Sequence, residues 1–157
     1  MAATSLTTYL WFDTEALDAA KFYVDLFPGS RLGEVSYYQA DAQHRAGTVL
    51  TVEFELFGRP FAALNGGPEF PHSEAVSFQV SCETQADVDR IWDTIVGSGG
   101  AESQCGWCKD RWGVNWQIIP EALGRALKGL DGYDSGYAFR AMMKMKKIVV
   151  ADLKPAS

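Results

Sequence analysis

An order of secondary-structure elements that occurs twice is the feature that most constrains how this chain can fold. In the first half, a β-branched and aromatic run predicts a strand over residues 7–12, and the alternation of apolar and polar side chains predicts another over 48–57. Two further strands are predicted near residues 32–38 and, after a tight turn, at 60–65. Between the first two strands, apolar residues three and four positions apart predict a helix that ends near Phe27, with Asp13 and Thr14 as its caps. The first half therefore has the order strand, helix and three strands.

The same order begins again after Gly66, Gly67 and Pro68, which interrupt the pattern as a linker does. A strand over residues 76–81 is followed by a helix that ends at Gly97. The segment from Thr84 to Asp87 fits a capping box at the start of that helix.

Two more strands, over residues 101–104 and 114–119, are predicted around a turn at residues 109–113. A shift of 69 residues places Phe22 and Tyr23 on Ile91 and Trp92, which indicates an internal duplication. Chance similarity between two amphipathic helices is the alternative explanation.

Two copies of such a unit predict an α+β fold in which tandem βαβββ modules form cupped mixed sheets around a cavity. We expect a single domain over residues 1–157, with one module at about 5–67 and the other at about 74–120. Residues 121–157 break the pattern and predict a helical extension, with a short helix around Leu123 to Leu130 and a Met-rich one over 138–147. Met-rich helices usually fill irregular gaps in a core.

The composition limits the classes of function. The chain has 14 Lys and Arg residues against 20 Asp and Glu, a formal net charge of −6, which argues against a nucleic-acid groove. No segment approaches the roughly 20 consecutive apolar residues of a membrane span, and the N-terminal residues lack the pattern of a signal peptide. Three cysteines, an odd number, suit a reducing compartment. We therefore expect a cytoplasmic protein that binds neither nucleic acid nor membrane.

The alternation along each strand predicts which side chains face the helix of the module. The more apolar set belongs under the helix: Leu10, Phe12, Ala62, Leu64, Phe78, Val80, Trp116 and Ile118. The opposite set would line the open face: Tyr9, Trp11, Phe61, Asn65, Ser77, Gln79, Asn115 and Gln117. A mixed aromatic and amide surface is typical of a small-molecule pocket, and a solvated sheet face is the alternative.

The stretches Gln104-Cys105-Gly106-Trp107 and Trp112 to Pro120 resemble the PhnB-like family, a branch of the glyoxalase/bleomycin-resistance/dioxygenase (vicinal oxygen chelate) superfamily. Residues 9–13, 22–23, 64–68 and 77–81 resemble other signatures of that family. The resemblance runs from about Thr7 to Ala151. It implies tandem βαβββ modules, a homodimer and a small-molecule cavity in each cupped sheet. The pocket candidates are then Tyr9, Trp11, Asn65, Ser77, Gln79, Cys105, Trp107, Asn115 and Gln117.

The resemblance also implies where a metal would bind in the metalloenzymes of the superfamily. Those strand positions correspond here to residues 7–9, Asn65, residues 75–77 and Gln117, and none of them is His, Asp or Glu. A catalytic divalent ion needs imidazole or carboxylate ligands, so we expect no tightly bound catalytic metal and no cofactor. Asn65 and Gln117 are taken as equivalent positions in the two modules. The two histidines, His44 and His72, fall in predicted loops, where His44 is expected to be solvated and His72 to lie at most at a pocket edge.

Two other groups of residues carry chemistry. Cys105 and Cys108 form a C-x-x-C motif, which occurs in redox pairs and in half zinc sites, although buried or loop thiols are the default. Glu53 and Glu55 share one face of their strand and could act as acid and base in the cup, or be solvent-exposed.

The function expected from the sequence is small-molecule binding in a sheet cup without a catalytic metal. The alternative is a metal-dependent lyase, isomerase or dioxygenase of the vicinal oxygen chelate type. A methyltransferase, as relatives in this family are often labelled, and a purely structural dimer are further possibilities.

Overall fold

A computed structural model describes residues 3–42 and 45–155, and the chain divides into two compact units, Met1–Pro71 and His72–Ser157. None of the helices in these described ranges is long and apolar enough to cross a membrane.

In its described residues, the first unit holds one four-stranded sheet and one α-helix. Its elements, in chain order, are β1 (Thr8–Phe12), α1 (Ala16–Leu26), β2 (Arg31–Tyr37), β3 (Val49–Leu56) and β4 (Arg59–Asn65). The strand order is β1-β4-β3-β2, with β1 parallel to β4 and the other neighbours antiparallel. This is the predicted βαβββ order.

The second unit repeats this topology. Its elements are β5 (Ser77–Cys82), α2 (Gln85–Gly97), β6 (Ala101–Glu102), β7 (Trp107–Lys109) and β8 (Asn115–Pro120). The strand order β5-β8-β7-β6 matches that of the first sheet, again with one parallel and two antiparallel pairs. The tandem α+β fold predicted from the sequence is therefore confirmed, although β6 is shorter than the predicted strand at 101–104.

The C-terminal extension is helical, as predicted, and belongs to the second unit. It contains α3 (Glu121–Leu127), α4 (Ser135–Met142) and a short 3-10 helix (Val150–Leu153), so α4 begins and ends earlier than the predicted helix at 138–147. Its own apolar cluster contains Leu123, Ala126, Ala138, Ile148 and Leu153. The segment after α4 is tied to the second sheet, because the Met145 and Lys146 carbonyls accept hydrogen bonds from the backbone of residues 105 and 106, at 2.8 and 2.7 Å.

The register of the first sheet corrects the face assigned to β4. Leu10 pairs with Ala63 and Phe12 with Asn65, and paired residues point to the same side of a sheet. Ala63 and Asn65 therefore lie under α1 together with Phe61, which stacks on Phe54. Ala62 and Leu64 face the open side instead. The prediction was wrong because Phe61 to Leu64 are four consecutive apolar residues, which give no alternation to read.

Asn65 is the last residue of β4, and its side chain contacts the first turn of α1. It is buried, and its Oδ1 accepts the backbone N–H of Ala16 at 2.8 Å while its Nδ2 donates to the Val49 carbonyl at 3.1 Å. The residue at the N-cap position, Glu15, makes no side-chain cap. The predicted caps Asp13 and Thr14 were thus wrong, since an amide 49 residues away along the chain satisfies the helix instead.

The second helix begins as its sequence predicts. The Thr84 hydroxyl accepts the backbone N–H of Asp87 at 3.1 Å and donates to the Asp87 carboxylate at 2.6 Å. Thr84 is therefore confirmed as the N-cap of α2, while the Asp87 carboxylate accepts from the Thr84 hydroxyl and not, as in a full capping box, from the Thr84 backbone N–H. The two helices thus differ in how their first turn is satisfied.

Replacing Asn65 with Ala should lower the free energy of unfolding by about 2 kcal/mol, because the Ala16 N–H and the Val49 carbonyl both lose a buried partner. Urea denaturation followed by circular dichroism measures this change. The matched variant is Asp13→Ala, which removes the cap that the sequence suggested and should change the stability by less than about 0.5 kcal/mol. A larger loss for Asp13→Ala than for Asn65→Ala would contradict the assignment.

Candidate functional site

The pocket candidates of the second unit share the open face of its sheet. Ser77 pairs with Asn115 and Gln79 with Gln117 across the parallel β5–β8 pair, and Trp107 pairs with Gln117. The amide of Gln117 donates to the Ser77 hydroxyl at 2.8 Å. Asn115 is buried, and its amide donates to the Gly113 carbonyl at 3.1 Å, so it supports the turn before β8.

The register also corrects the equivalence of Asn65 and Gln117. Asn65 pairs with Phe12 at the end of β1, on the face under α1. Gln117 pairs with Gln79 in the middle of β5, on the open face. The two amides therefore have different positions in their modules.

The C-x-x-C motif does not bring two reactive thiols to an exposed site. Cys108 pairs with Trp116 on the face under α2 and is fully buried, and burial raises the pKa of its thiol to about 12. Burial likewise raises the pKa of Cys82 to about 11. Cys105 precedes β7, half-buried, with its Sγ 3.9 Å from the Met143 sulfur. Redox pairs normally open a helix, which lowers a thiol pKa, whereas here the motif leads into a strand.

Trp11 lies on the open face of the first sheet but is held by its own chain. Its indole N–H donates to the Gly67 carbonyl at 2.7 Å, and its ring makes an edge contact with Phe70 at 4.9 Å between centroids. Gly66 packs so closely on the ring that a Cβ there would overlap it. Trp11 therefore anchors the turn after β4, which limits how it can contact a ligand.

A cavity of about 270 Å³ lies over the open face of the first sheet. Its lining includes Thr7, Tyr9, Arg31, Gly33, Glu53 and Ala62. Of these, the sequence analysis placed only Tyr9 among the pocket candidates.

The centre of the cavity is one row of side chains across three strands. Tyr9 on β1 pairs with Ala62 on β4, and Ala62 pairs with Glu53 on β3. Neighbouring strands are about 4.8 Å apart, so the Cβ atoms of Tyr9 and Glu53 are roughly 10 Å apart across the row. Ala62 lies between them and is only 1% exposed, so the accessible side chains of the row are Tyr9 and Glu53.

Gly33, on β2, lies next to Glu53 at the end of this row. The β2–β3 pairing contains an irregularity between Leu32 and Val35, and Gly33 lies there against Glu53. A Cβ at Gly33 would be 3.0 Å from the Glu53 carbonyl oxygen and 3.1 Å from the Glu53 Cβ. A glycine at this bulge lets β2 approach β3 closely beside the Glu53 side chain.

Two of the charges in the cavity neutralise each other. Arg31 pairs with Glu55 in the next row, and its Nε donates to a Glu55 carboxylate oxygen at 2.7 Å. This hydrogen bond raises the pKa of Arg31 and lowers the pKa of Glu55. Both groups are solvent-accessible, so the pair adds little to stability. No hydrogen bond or ion pair joins the Glu53 carboxylate to another residue of the described ranges, which leaves it as the acceptor in this cavity.

Glu53 and Glu55 share one face of their strand in the sequence pattern but are not among the pocket candidates. The alternation in β3 is enough to place both side chains on the open face. Ala62 was missed because β4 was assigned the opposite faces, and Arg31 and Gly33 were missed because the bulge in β2 leaves no sequence pattern that predicts its register.

The residues at the metal-ligand positions of the superfamily do not fit a divalent ion. Those positions carry hydroxyl, aromatic and amide groups, which are weak ligands, and the Asn65 amide is engaged at α1. Within residues 3–42 and 45–155, no three His, Cys, Asp or Glu side chains are grouped so that they could hold a metal. His72 lies beside Gly113, with its Cβ in van der Waals range of that glycine, while His44 is outside the described residues.

A family model described as 3-demethylubiquinone-9 3-methyltransferase matches residues 4–119, well over half of the chain. No curated protein matches significantly. Among solved structures, a Bacillus cereus PhnB protein named as a 3-demethylubiquinone-9 3-methyltransferase is 29% identical, with a TM-score of 0.67. The match covers 74% of this chain and 99% of that one.

Two further structures share the fold at lower identity. The protein PA1353 from Pseudomonas aeruginosa is 18% identical with a TM-score of 0.60, and the match covers 76% of this chain and 98% of that one. The fosfomycin resistance protein FosX from Mesorhizobium loti is 12% identical with a TM-score of 0.50, over 74% of this chain and 90% of that one.

Replacing Trp11 with Ala should lower the free energy of unfolding by about 2–3 kcal/mol, because the ring packing and the hydrogen bond to Gly67 are both lost. Gln117→Ala, on the open face of the other sheet, should cost less than about 1 kcal/mol. Urea denaturation of the two variants checks both values. Equal and small losses would show that Trp11 does not anchor the turn.

Proposed function

Because the chain belongs to the 3-demethylubiquinone-9 3-methyltransferase (PhnB-like) family of the vicinal oxygen chelate superfamily, we propose that it binds a small organic molecule on the open face of its first sheet. The proposal includes no tightly bound catalytic metal. The observation that carries it is the cavity over Ala62, between the ring of Tyr9 and the carboxylate of Glu53.

The composition of the cavity suits a ligand that is partly apolar. The exposed Tyr9 ring supplies apolar contact, and the Glu53 carboxylate supplies a hydrogen-bond acceptor. Sites for drug-sized molecules usually have volumes of about 300–1,000 Å³. A cavity of about 270 Å³ is at the lower limit of that range, which favours a compact ligand.

The open face of the second sheet is part of the same proposal. Gln79, Gln117 and Trp107 share that face, and the hydrogen bond from Gln117 to Ser77 holds its amide in one orientation. An oriented amide beside an indole ring can bind a planar polar group by a hydrogen bond and by stacking. Cys105, two residues before β7, is the remaining pocket candidate of the second unit.

A metal-dependent lyase, isomerase or dioxygenase is the alternative function. Such chemistry uses a divalent ion as a Lewis acid, held by imidazole or carboxylate groups on strands that face the cup. The hydroxyl and amide side chains at those strand positions weigh against it.

The methyltransferase in the family description also lacks support from the local structure. A methyl-donor nucleotide site would use a glycine-rich turn between a strand and a helix of a parallel sheet. Gly66 and Gly67 follow β4, and both of their N–H groups donate to the Phe12 carbonyl, at 2.9 and 3.4 Å. The Trp11 ring packs so closely on Gly66 that no side chain would fit there, which explains this glycine without a nucleotide site.

We also propose a cytoplasmic homodimer. In the first unit, Leu32, Tyr37 and Phe57 are exposed on or next to the strands β2 and β3, and apolar side chains along a sheet edge support a contact with another chain. A dimer with a vestigial pocket would have the same exposed side chains, so the ligand test below distinguishes the two.

Benzyl alcohol serves as a neutral probe of the cavity. In a nitrogen-15 NMR titration, we expect it to shift the backbone amide signals of Tyr9, Glu53 and Ala62, because all three residues line the cavity and the exposed Tyr9 ring can pack on the ring of the probe. Ala62→Leu, which adds three carbon atoms between Tyr9 and Glu53, should abolish these shifts. Tyr9→Ala, at an exposed position, should weaken binding without loss of the fold.

The matched control is Ala101→Leu, which makes the same substitution at an exposed residue of the other unit and should leave the titration unchanged. If benzyl alcohol shifts none of the three amide signals in the folded wild-type chain, the first-sheet cavity is not a ligand site.

The metal content distinguishes the main proposal from its alternative. After purification with no chelator and dialysis against Zn²⁺, Mn²⁺ or Ni²⁺, elemental analysis should find less than about 0.1 ion per chain, because the ligand positions carry weak donors. One ion of any of these metals per chain that survives gel filtration would favour the metal-dependent enzyme.

A further inference from the structure

We infer that the ligand of the first-sheet cavity carries a positive charge, as an organic ammonium or guanidinium group. This inference rests on the proposed function and names the chemical class of the ligand. It comes from the row Tyr9, Ala62 and Glu53.

The charges that line the cavity do not cancel. Arg31 and Glu55 form an ion pair with each other, so neither attracts a ligand strongly. Glu53 is the remaining charged group of the lining, and it makes no ion pair within the described ranges. The cavity therefore presents one negative charge in excess.

That excess charge discriminates among ligand classes. An anionic ligand would lie next to the Glu53 carboxylate and be repelled. A neutral ligand can replace the water at the carboxylate only with an uncharged donor, which forms the weaker hydrogen bond. A cation both replaces the lost hydration and gains a charge-assisted hydrogen bond.

The opposite wall of the row also favours a cation. Tyr9 is 62% exposed, so the face of its ring is accessible. A cation within about 6 Å of an aromatic centroid is attracted by the ring quadrupole. With the two Cβ atoms roughly 10 Å apart, two strand spacings, the side chains can contact one small cation from both sides.

The experiment compares three probes of similar shape and different charge at pH 7: benzylamine, benzyl alcohol and benzoate. Binding is measured by the same NMR titration of the Tyr9, Glu53 and Ala62 amide signals. We expect benzylamine to bind about ten-fold more tightly than benzyl alcohol, since an ion pair with the exposed Glu53 carboxylate is worth up to about five-fold and an exposed cation–π contact with Tyr9 about two-fold. Benzoate should bind most weakly.

Three variants separate the local charge from the overall charge of the chain. Glu53→Gln should lower the preference for benzylamine to about two-fold, and Tyr9→Leu should about halve it. Glu74→Gln is the matched control, because it removes the same charge from an exposed loop residue of the other unit and should keep the preference. Adding 0.3 M NaCl should weaken the binding of benzylamine but not of benzyl alcohol.

Binding of benzoate that is as tight as that of benzylamine, or an unchanged preference in Glu53→Gln, would overturn the inference. The proposed function would still hold in that case, provided that benzyl alcohol binds in the cavity. If none of the three probes shifts the Tyr9, Glu53 and Ala62 signals, both the inference and the proposed function fail.

Discussion

The parallel pairing of β1 with β4 is the constraint on which the first unit depends. Parallel pairing brings Phe12 opposite Asn65 and Tyr9 opposite Ala62. Because successive residues of a strand point to opposite faces, a slip of one residue would exchange both sets. In the observed register, Asn65 reaches the first turn of α1, and Ala62 lies between Tyr9 and Glu53. The same parallel pairing, between β5 and β8, orders the second unit.

This register separates side chains that support the fold from side chains that remain available to a ligand. The amide of Asn65 is engaged by backbone groups of α1 and β3, and the indole of Trp11 by the turn at Gly66 and Gly67. Tyr9 and Glu53 are exposed and face the cavity. Two polar or aromatic residues of the same strand can therefore differ as site candidates. One is engaged by groups of the protein itself, and the other can contact a ligand.

Much of the fold could be predicted from the sequence, for reasons that are local. The alternation of Val52, Phe54 and Leu56 with glutamates placed β3 and both of its faces, and the capping box at Thr84 placed the start of α2. The duplication followed from the repeated order of such elements. The alternation and the helix cap each depend on residues only a few positions apart in the sequence, so both can be recognised without knowing the tertiary contacts.

The site was harder to predict, because it depends on partners that are distant in sequence. The four apolar residues of β4 left its faces ambiguous, and only pairing with β1 and β3 resolves them. The cap of α1 comes from Asn65, and the ring of Trp11 is covered by residues more than 50 positions away. Membership of the family indicated a cupped sheet without indicating which side chains in this chain remain free of the fold.

The most direct measurement is a crystal structure of the chain grown with benzylamine. The account predicts electron density for the probe over Ala62, with its ammonium nitrogen about 3 Å from the Glu53 carboxylate and beside the Tyr9 ring. Density for the probe outside this cavity, or a metal ion bound at the Tyr9 and Glu53 side chains, would contradict it.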